Sequence, residues 1–213
     1  MYFILLKING ILHTAEIDGV VAAPVLSHEN NRIRRKESSS MKVLVVVDMQ
    51  NDFVTGALGT KEACGILPNV VQKMQSFDGM IFATRDTHGE DYPDTLEGKN
   101  LPVSHCIKGT SGWALCREVE RRLTTPPLDK KSFGCVALGE LLASNNKIIP
   151  ITEVTLIGVC TDICVISNAL LLKAFLPETR ILVDASCCAG TSPEAHRAAL
   201  EAMKRCQIEI ENE

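Results

Sequence analysis

The chain has 213 residues, 46% hydrophobic and 23% charged, with a formal net charge of -4, a length that fits one domain or slightly more. A mean hydropathy of +0.10 and a sequence pI near 5.8 argue against wholesale disorder and against a broad cationic surface for nucleic acid or anionic lipid. No apolar run approaches the ~20 residues that a bilayer-spanning helix needs, so small-molecule chemistry in a soluble globular protein is the working expectation, with no nucleic-acid or membrane partner.

The nine cysteines are odd in number and irregular in spacing, unlike the paired set of a short secreted scaffold. The opening MYFILLKING has no basic residue ahead of its apolar stretch, and Lys7 interrupts that stretch early, which makes a poor signal peptide. A reducing cytoplasm is the expected compartment. Residues 1–40 read as an N-terminal extension, either disordered or not native to the domain, because the stretch from Arg32 to Ser40 is charged and serine-rich like a linker. The domain itself is expected to run over 41–213.

From Met41 onward, short β-branched runs alternate with segments of helical period. Val43 to Val47, Met80 to Thr84, Val154 to Gly158 and Arg180 to Asp184 read as strands buried on both faces, as a parallel sheet covered by helices requires. Helices are predicted from about Leu67 to Ser76, Gly112 to Leu123, Val136 to Ser144, Asp162 to Ala174 and Pro193 to Arg205, the last with Ser192 as N-cap and Pro193 at the first helical position. The βα alternation predicts a three-layer α/β/α sandwich around a mainly parallel, Rossmann-like sheet. Neither a G-x-G-x-x-G nor a Walker-type phosphate loop follows any strand, which argues against a nucleotide site.

Open parallel sheets bind ligands at the carboxyl ends of their strands, and the residues there are rich in chemistry. Cys164 falls in the first turn of a predicted helix, with Thr161 as its expected N-cap, where the helix dipole would stabilise a thiolate. Lys130 stands where a short strand could end and would add a cation. Asp48 ends the most apolar strand of the chain, so burial could tune its carboxyl for proton transfer. Nucleophile, activator and proton shuttle would then be Cys164, Lys130 and Asp48.

Three segments, Val47 to Phe53 (VDMQNDF), Asp129 to Gly134 (DKKSFG) and Gly158 to Val165 (GVCTDICV), resemble in order and spacing the signature segments of the isochorismatase-like cysteine hydrolases. That superfamily includes nicotinamidases and N-carbamoylsarcosine amidases, and the likeness extends from Met41 to Ile210. The resemblance implies a catalytic triad of Asp48, Lys130 and Cys164. It also implies a non-proline cis peptide at Val159–Cys160 and an oxyanion hole from the backbone N–H groups of Cys160 and Cys164. Asp86 and His88, followed by His105, resemble the metal site of the nicotinamidase branch, with Glu97 as an indirect contributor. This implies a divalent metal, Zn²⁺ first, with Mn²⁺ or Fe²⁺ as alternatives, that accepts a substrate's pyridine nitrogen.

The sequence departs from that branch where an aromatic residue is expected three positions before the second metal histidine. Pro102 stands there, preceded by Leu101, and Phe53 and Trp113 are left as the candidate aromatic partners of a substrate. The implied reaction is acyl transfer from a small carboxamide through a thioester. A ureido or carbamoyl substrate is the second reading, supported by the missing aromatic. A noncatalytic ligand-binding member of the fold is the third. Cys164 argues against vinyl-ether hydrolysis, because isochorismatases proper lack the nucleophilic cysteine. Homo-oligomers are common in this family, and one is expected here.

Each residue also has an ordinary reading. Cys164 could be a small core hydrophobe, Asp48 a turn cap, Lys130 a solvated charge and His196 a surface helix residue. Cys160, Cys164, Cys187 and Cys188 do not follow the repeated C-x₂-C spacing of structural zinc sites.

Overall fold

The computed structural model describes residues 5–8, 11–14 and 40–213. The expectations for residues 1–40 otherwise lie outside the described residues. Strands β1 (Leu5–Ile8) and β2 (Ile11–Thr14) pair antiparallel, Leu5 opposite Thr14 and Ile8 opposite Ile11. They belong to a separate compact unit, Met1–Glu37, and the rest of the chain, Ser38–Glu213, forms the second.

The second unit is built on β3 (Met41–Val47), β4 (Met80–Asp86), β5 (Leu128–Lys130), β6 (Ile151–Val159), β7 (Arg180–Ala189) and β8 (Glu209–Glu211). All five pairings are parallel, and the spatial order is β5-β4-β3-β6-β7-β8. Renumbered from the first strand this is the 3-2-1-4-5-6 order of a doubly wound sheet, whose switch point lies between the first and fourth strands, here β3 and β6.

The helices are α1 (Asn51–Val54), α2 (Lys61–Ser76), α3 (Leu96–Asn100), α4 (Arg117–Glu120), α5 (Val136–Asn146), α6 (Ile166–Phe175) and α7 (Pro193–Arg205). Val43, Val45 and Val47 face one apolar cluster with Leu138 and Leu142 of α5, Leu172 of α6 and Met203 of α7. Leu44 and Val46 face the other, with Phe53 of α1, Val70 and Met74 of α2, and Val119 of α4. All five β3 residues are fully buried, because a central parallel strand has helices on both sides. The three-layer expectation holds.

Several boundaries differ from the sequence reading. Helix α2 starts six residues earlier than Leu67: Thr60 caps it by accepting from the Ala63 N–H, and Pro68 lies inside the helix rather than at its start. The helix expected over 112–123 shrinks to α4. The backbone before it is committed elsewhere, since the carbonyls of Gly112 and Ala114 accept from Asp52 and Asn51 and Leu115 bridges Gln50. The helix expected from Asp162 begins as a π-turn, Thr161–Val165, closed by a Val165 N–H to Cys160 carbonyl bond, and becomes regular only at α6. Ser192 caps α7 with Pro193 at its start, as the sequence predicts.

Away from the site, a buried charge ties α2 to the sheet. Asp184 of β7 accepts from Lys73 Nζ at 2.7 Å, Ser186 Oγ at 2.8 Å and Asn212 Nδ2 at 3.0 Å. Burial opposes ionisation, but these three donors hold its carboxyl below the ordinary value of 3.8. A depressed carboxylate stabilises the fold above its unfolded-state pKa and loses that contribution as pH falls. Asp184→Ala is therefore expected to cost about 2 kcal/mol at pH 7, with the gap to the parent closing below about pH 4. Denaturant unfolding at both pH values checks this, and equal stability at pH 7 would refute it.

Candidate active site and metal centre

The chemistry gathers at the carboxyl ends of β3, β4, β5 and β6, beside the switch point. Asp48 follows the last residue of β3 with φ of 47°, a left-handed conformation that an aspartate tolerates better than most residues. The turn sends its fully buried carboxylate toward β4 and β5. Thr84 donates its hydroxyl to Asp48 Oδ1 at 2.7 Å, and Lys130 Nζ lies 2.8 Å from Oδ2.

Lys130, the last residue of β5, is the hub. Its ammonium, buried at 4% residue exposure, reaches Asp48, Cys164 Sγ at 3.4 Å and Asp86 Oδ1 at 3.2 Å. Burial alone would lower the Lys130 pKa, but the acidic groups around it, Asp48 foremost, hold it above the ordinary lysine range. It is a permanent cation, not the solvated surface charge of the ordinary reading.

Cys164 sits in the π-turn after β6, one of the places where the rare i→i+5 geometry recurs at functional sites. The expected ready-made thiolate is corrected here. Burial first, and Asp48 second, push the Cys164 thiol well above its ordinary range, and Lys130 only partly opposes them. Asp48 is also raised, chiefly by burial. Two buried acids next to one fixed cation titrate as a coupled set. Thr161 is not an N-cap: the cap position is Cys160, and the Thr161 hydroxyl pairs with His196 Nδ1 at 2.8 Å. His196 is thus no mere surface residue. The Val159–Cys160 peptide is cis.

The second group lies on the other side of Lys130. Single ligand atoms of Asp86, His88, Glu97 and His105 all fall within 4.8 Å of one another. His88 Nε2 is 2.8 Å from Asp86 Oδ2 and 3.7 Å from Glu97 Oε1, and His105 Nε2 is 3.6 and 3.9 Å from the same two atoms. His105 Nδ1 lies 2.8 Å from the Val103 carbonyl. A carbonyl only accepts, so Nδ1 carries a proton and Nε2 is the ring atom that faces the carboxylates, the atom a histidine held in this way can offer to a metal. Two imidazoles and two carboxylates converging in this way fit a first-row divalent cation. Glu97, expected to act indirectly, is brought into the group by α3, which Thr95 caps through the Gly98 N–H at 2.9 Å. Among the described residues no second such group is found, the cysteines 160, 164, 187 and 188 included.

Asp86 is held by residues that sequence reading did not single out. Gln50 donates through Nε2 to the Asp86 carbonyl at 2.9 Å and accepts from the Asp86 N–H at 2.7 Å. The neighbouring imidazoles and Lys130 keep the Asp86 carboxyl well below the usual range despite burial. Asn168, fully buried on α6, donates to the carbonyls of Cys164 (2.8 Å) and Phe133 (3.1 Å) and accepts from the Cys135 N–H. It pins the cysteine turn to the loop after Lys130.

Of the candidate aromatics, Phe53 packs on His105 with centroids 5.5 Å apart. Trp113 is engaged elsewhere: Arg85 stacks 3.6 Å above its ring, and its indole N–H donates to Thr87. The aromatic that the sequence reading missed is Tyr92, buried with its hydroxyl on the Leu101 carbonyl and its ring edge-on to both His88 (4.6 Å) and His105 (5.0 Å). Its signal was being the lone large aromatic between the two histidines.

A doubly wound parallel sheet with a buried Asp–Lys–Cys cluster and a group of four potential metal ligands at its carboxyl edge defines an α/β enzyme architecture. The Isochorismatase-domain family model matches residues 42–212, and the chain belongs to that family, in its nicotinamidase-like part. The nicotinamidase/pyrazinamidase of Mycobacterium tuberculosis is 25% identical over 185 residues, spanning 80% of this chain and 98% of that protein. The crystal structure of the Pyrococcus horikoshii pyrazinamidase in complex with zinc is 28% identical, with a TM-score of 0.65 over 80% of this chain and 98% of that one. The N-carbamoylsarcosine amidase of Thermoplasma acidophilum is 26% identical, with a TM-score of 0.63 over 81% and 96%.

Proposed function

We propose that the chain hydrolyses a small, nicotinamide-like carboxamide to the acid and ammonia, with Cys164 as nucleophile, Asp48 as proton shuttle and Lys130 as fixed cation. The observation that carries this reading is the position of Lys130 Nζ, 2.8 Å from Asp48 and 3.4 Å from Cys164 Sγ, next to the Asp86, His88, Glu97 and His105 group. Relatives named for nicotinamide and pyrazinamide hydrolysis support the substrate class.

In the first half-reaction the Cys164 proton passes to Asp48 and the sulfur adds to the amide carbon. The oxygen becomes an oxyanion that the N–H groups of Cys160 and Cys164 receive. Asp48 returns the proton to the nitrogen as the C–N bond breaks, and ammonia leaves a thioester. Water then gives a proton to Asp48 and adds to the thioester, and the departing sulfur takes that proton back as the acid is released. Lys130 keeps two acids and the Asp86 ligand ionisable in one dry space. When bound, the metal supplies a Lewis-acid position for a ring nitrogen of the substrate, held by Asp86, His88, Glu97 and His105.

Ammonia release from nicotinamide, pyrazinamide and a panel of ureido compounds tests the assignment. Turnover of the pyridine and pyrazine amides, falling on chelation and restored by Zn²⁺, is expected. Turnover of a ureido compound alone would move the chain to the N-carbamoylsarcosine amidase type, and no turnover of any compound would favour a noncatalytic binding protein. The metal centre is tested separately by competition with a chromophoric chelator: the chelator-treated protein is expected to take up stoichiometric Zn²⁺, and His105→Ala to weaken uptake by at least about 100-fold. Equal affinity in the variant would remove His105 from the site.

A further inference from the structure

The turn that carries Cys164 is gripped from a side the chemistry does not use. Thr161, its first residue, is fully buried, and its hydroxyl is turned away from its own helix to His196 Nδ1, 35 residues on in the chain. The next residue, Asp162, accepts from both the backbone N–H and the hydroxyl of Thr191. Gly190 makes the approach close: a Cβ there would lie 2.9 Å from Asp162 Oδ1 and from His196 Cβ. The loop after β7 and the first turn of α7 therefore hold two consecutive residues of the π-turn.

A π-turn closes over one residue more than a regular turn, and Cys164 is the fourth of the five residues in this one. A threonine hydroxyl at this position could equally bond its own helix backbone, and the imidazole decides otherwise. Cys164 must meet Lys130 at 3.4 Å, and an error of about 1 Å in such a position can cost about 100-fold in rate.

We propose that His196 is a positioning residue, which through its bond to Thr161 fixes the orientation of the nucleophile turn and thereby the approach of Cys164 to Lys130 and to the substrate carbonyl. The proposal rests on the reading of Cys164 as nucleophile. In this role His196 acts through Thr161, the residue its ring is bonded to. His196 also lines an open cleft with Ser186 and Asn212.

Three substitutions test it on the full chain. His196→Leu removes the bond, Thr161→Val removes it from the other side with the shape kept, and His196→Asn places an amide atom where Nδ1 stood. The readouts are kcat and KM on the best substrate, the iodoacetamide alkylation rate of Cys164 and the melting temperature. His196→Leu and Thr161→Val are expected to lower kcat about 10–100-fold with KM within about twofold, and to change the alkylation rate, while His196→Asn recovers most of the loss. The double variant is expected to be no worse than either single one, because both remove the same bond. Where His196→Leu melts lower, Thr161→Val carries the test.

Parent-like kcat in both single variants would overturn the proposal. So would additive losses in the double variant, or a His196→Asn no better than His196→Leu. If the parent itself turns over no amide, the amidase reading fails, and alkylation alone decides: unchanged Cys164 reactivity in both variants then refutes the positioning role.

Discussion

Cys164→Ala is expected to lose amide hydrolysis by on the order of 10⁴-fold or more while keeping its fold, its melting temperature and its affinity for Zn²⁺. The sulfur is the atom that forms the bond to the substrate carbon, and nothing beside it can take its place. The other nucleophiles near the turn are spent: the Thr161 hydroxyl is bonded to His196, and the Cys160 thiol is pushed up to about 12 by burial. Removing a thiol of a side chain that is 5% exposed leaves a small void but no unpaired charge, since Lys130 keeps Asp48 and Asp86 as partners. A loss of activity accompanied by intact thermal unfolding and metal uptake separates the chemical role from a packing role. A variant that retains a tenth of the parent activity would place the nucleophile elsewhere.

Gly158→Ala is expected to abolish soluble, folded protein at 37 °C. Gly158 has φ of 118°, a region that side-chain-bearing residues rarely enter. A Cβ there would lie 2.1 Å from the Val47 carbonyl oxygen and 2.9 Å from the Val47 nitrogen, backbone atoms that cannot step aside. Gly158 is the register partner of Val47 in the β3–β6 pairing, and this pair stands immediately before Asp48 on one strand and the Cys160 turn on the other. Close approach of the two backbones brings carboxylate and thiol to one ammonium. Strain and overlap together put the cost above the ~4 kcal/mol that marks exceptional substitutions, a large part of the 5–15 kcal/mol stability of an ordinary domain. Expression yield and circular dichroism of Gly158→Ala check this, and a parent-like melting temperature would contradict it.

What the chain shows as sequence divides along physical lines. The runs at 43–47, 80–84, 154–158 and 180–184 are legible because strands buried on both faces must be apolar at every position. The segments 47–53, 129–134 and 158–165 are legible through their resemblance to the signature segments of a known family. Strand β8 is not: its Glu209-Ile210-Glu211 is an edge strand whose acidic side chains face solvent, the composition that guards sheet edges. The loss of helix over 112–116 is equally invisible, since it depends on α1 backbone donors some 60 residues away in sequence. The supporting residues Gln50, Thr84, Asn168 and His196 share one property. Each is an ordinary residue locally and acts through a partner far along the chain, such as Asn168 on the Phe133 carbonyl. The π-turn is hidden for the same reason, and so is the burial that, with Asp48 second, pushes the Cys164 thiol up.

The central claim is that the acyl group of the substrate passes through Cys164. Acid quenching during turnover of the best amide substrate, followed by mass mapping of the peptides, tests it directly, with hydroxylamine added in a parallel sample to intercept the intermediate. An acyl group is expected on the Cys164 peptide of the parent, labile to hydroxylamine, with hydroxamate product that disappears in Cys164→Ala. An acyl group on another side chain, or hydroxamate formation that persists in Cys164→Ala, would contradict it.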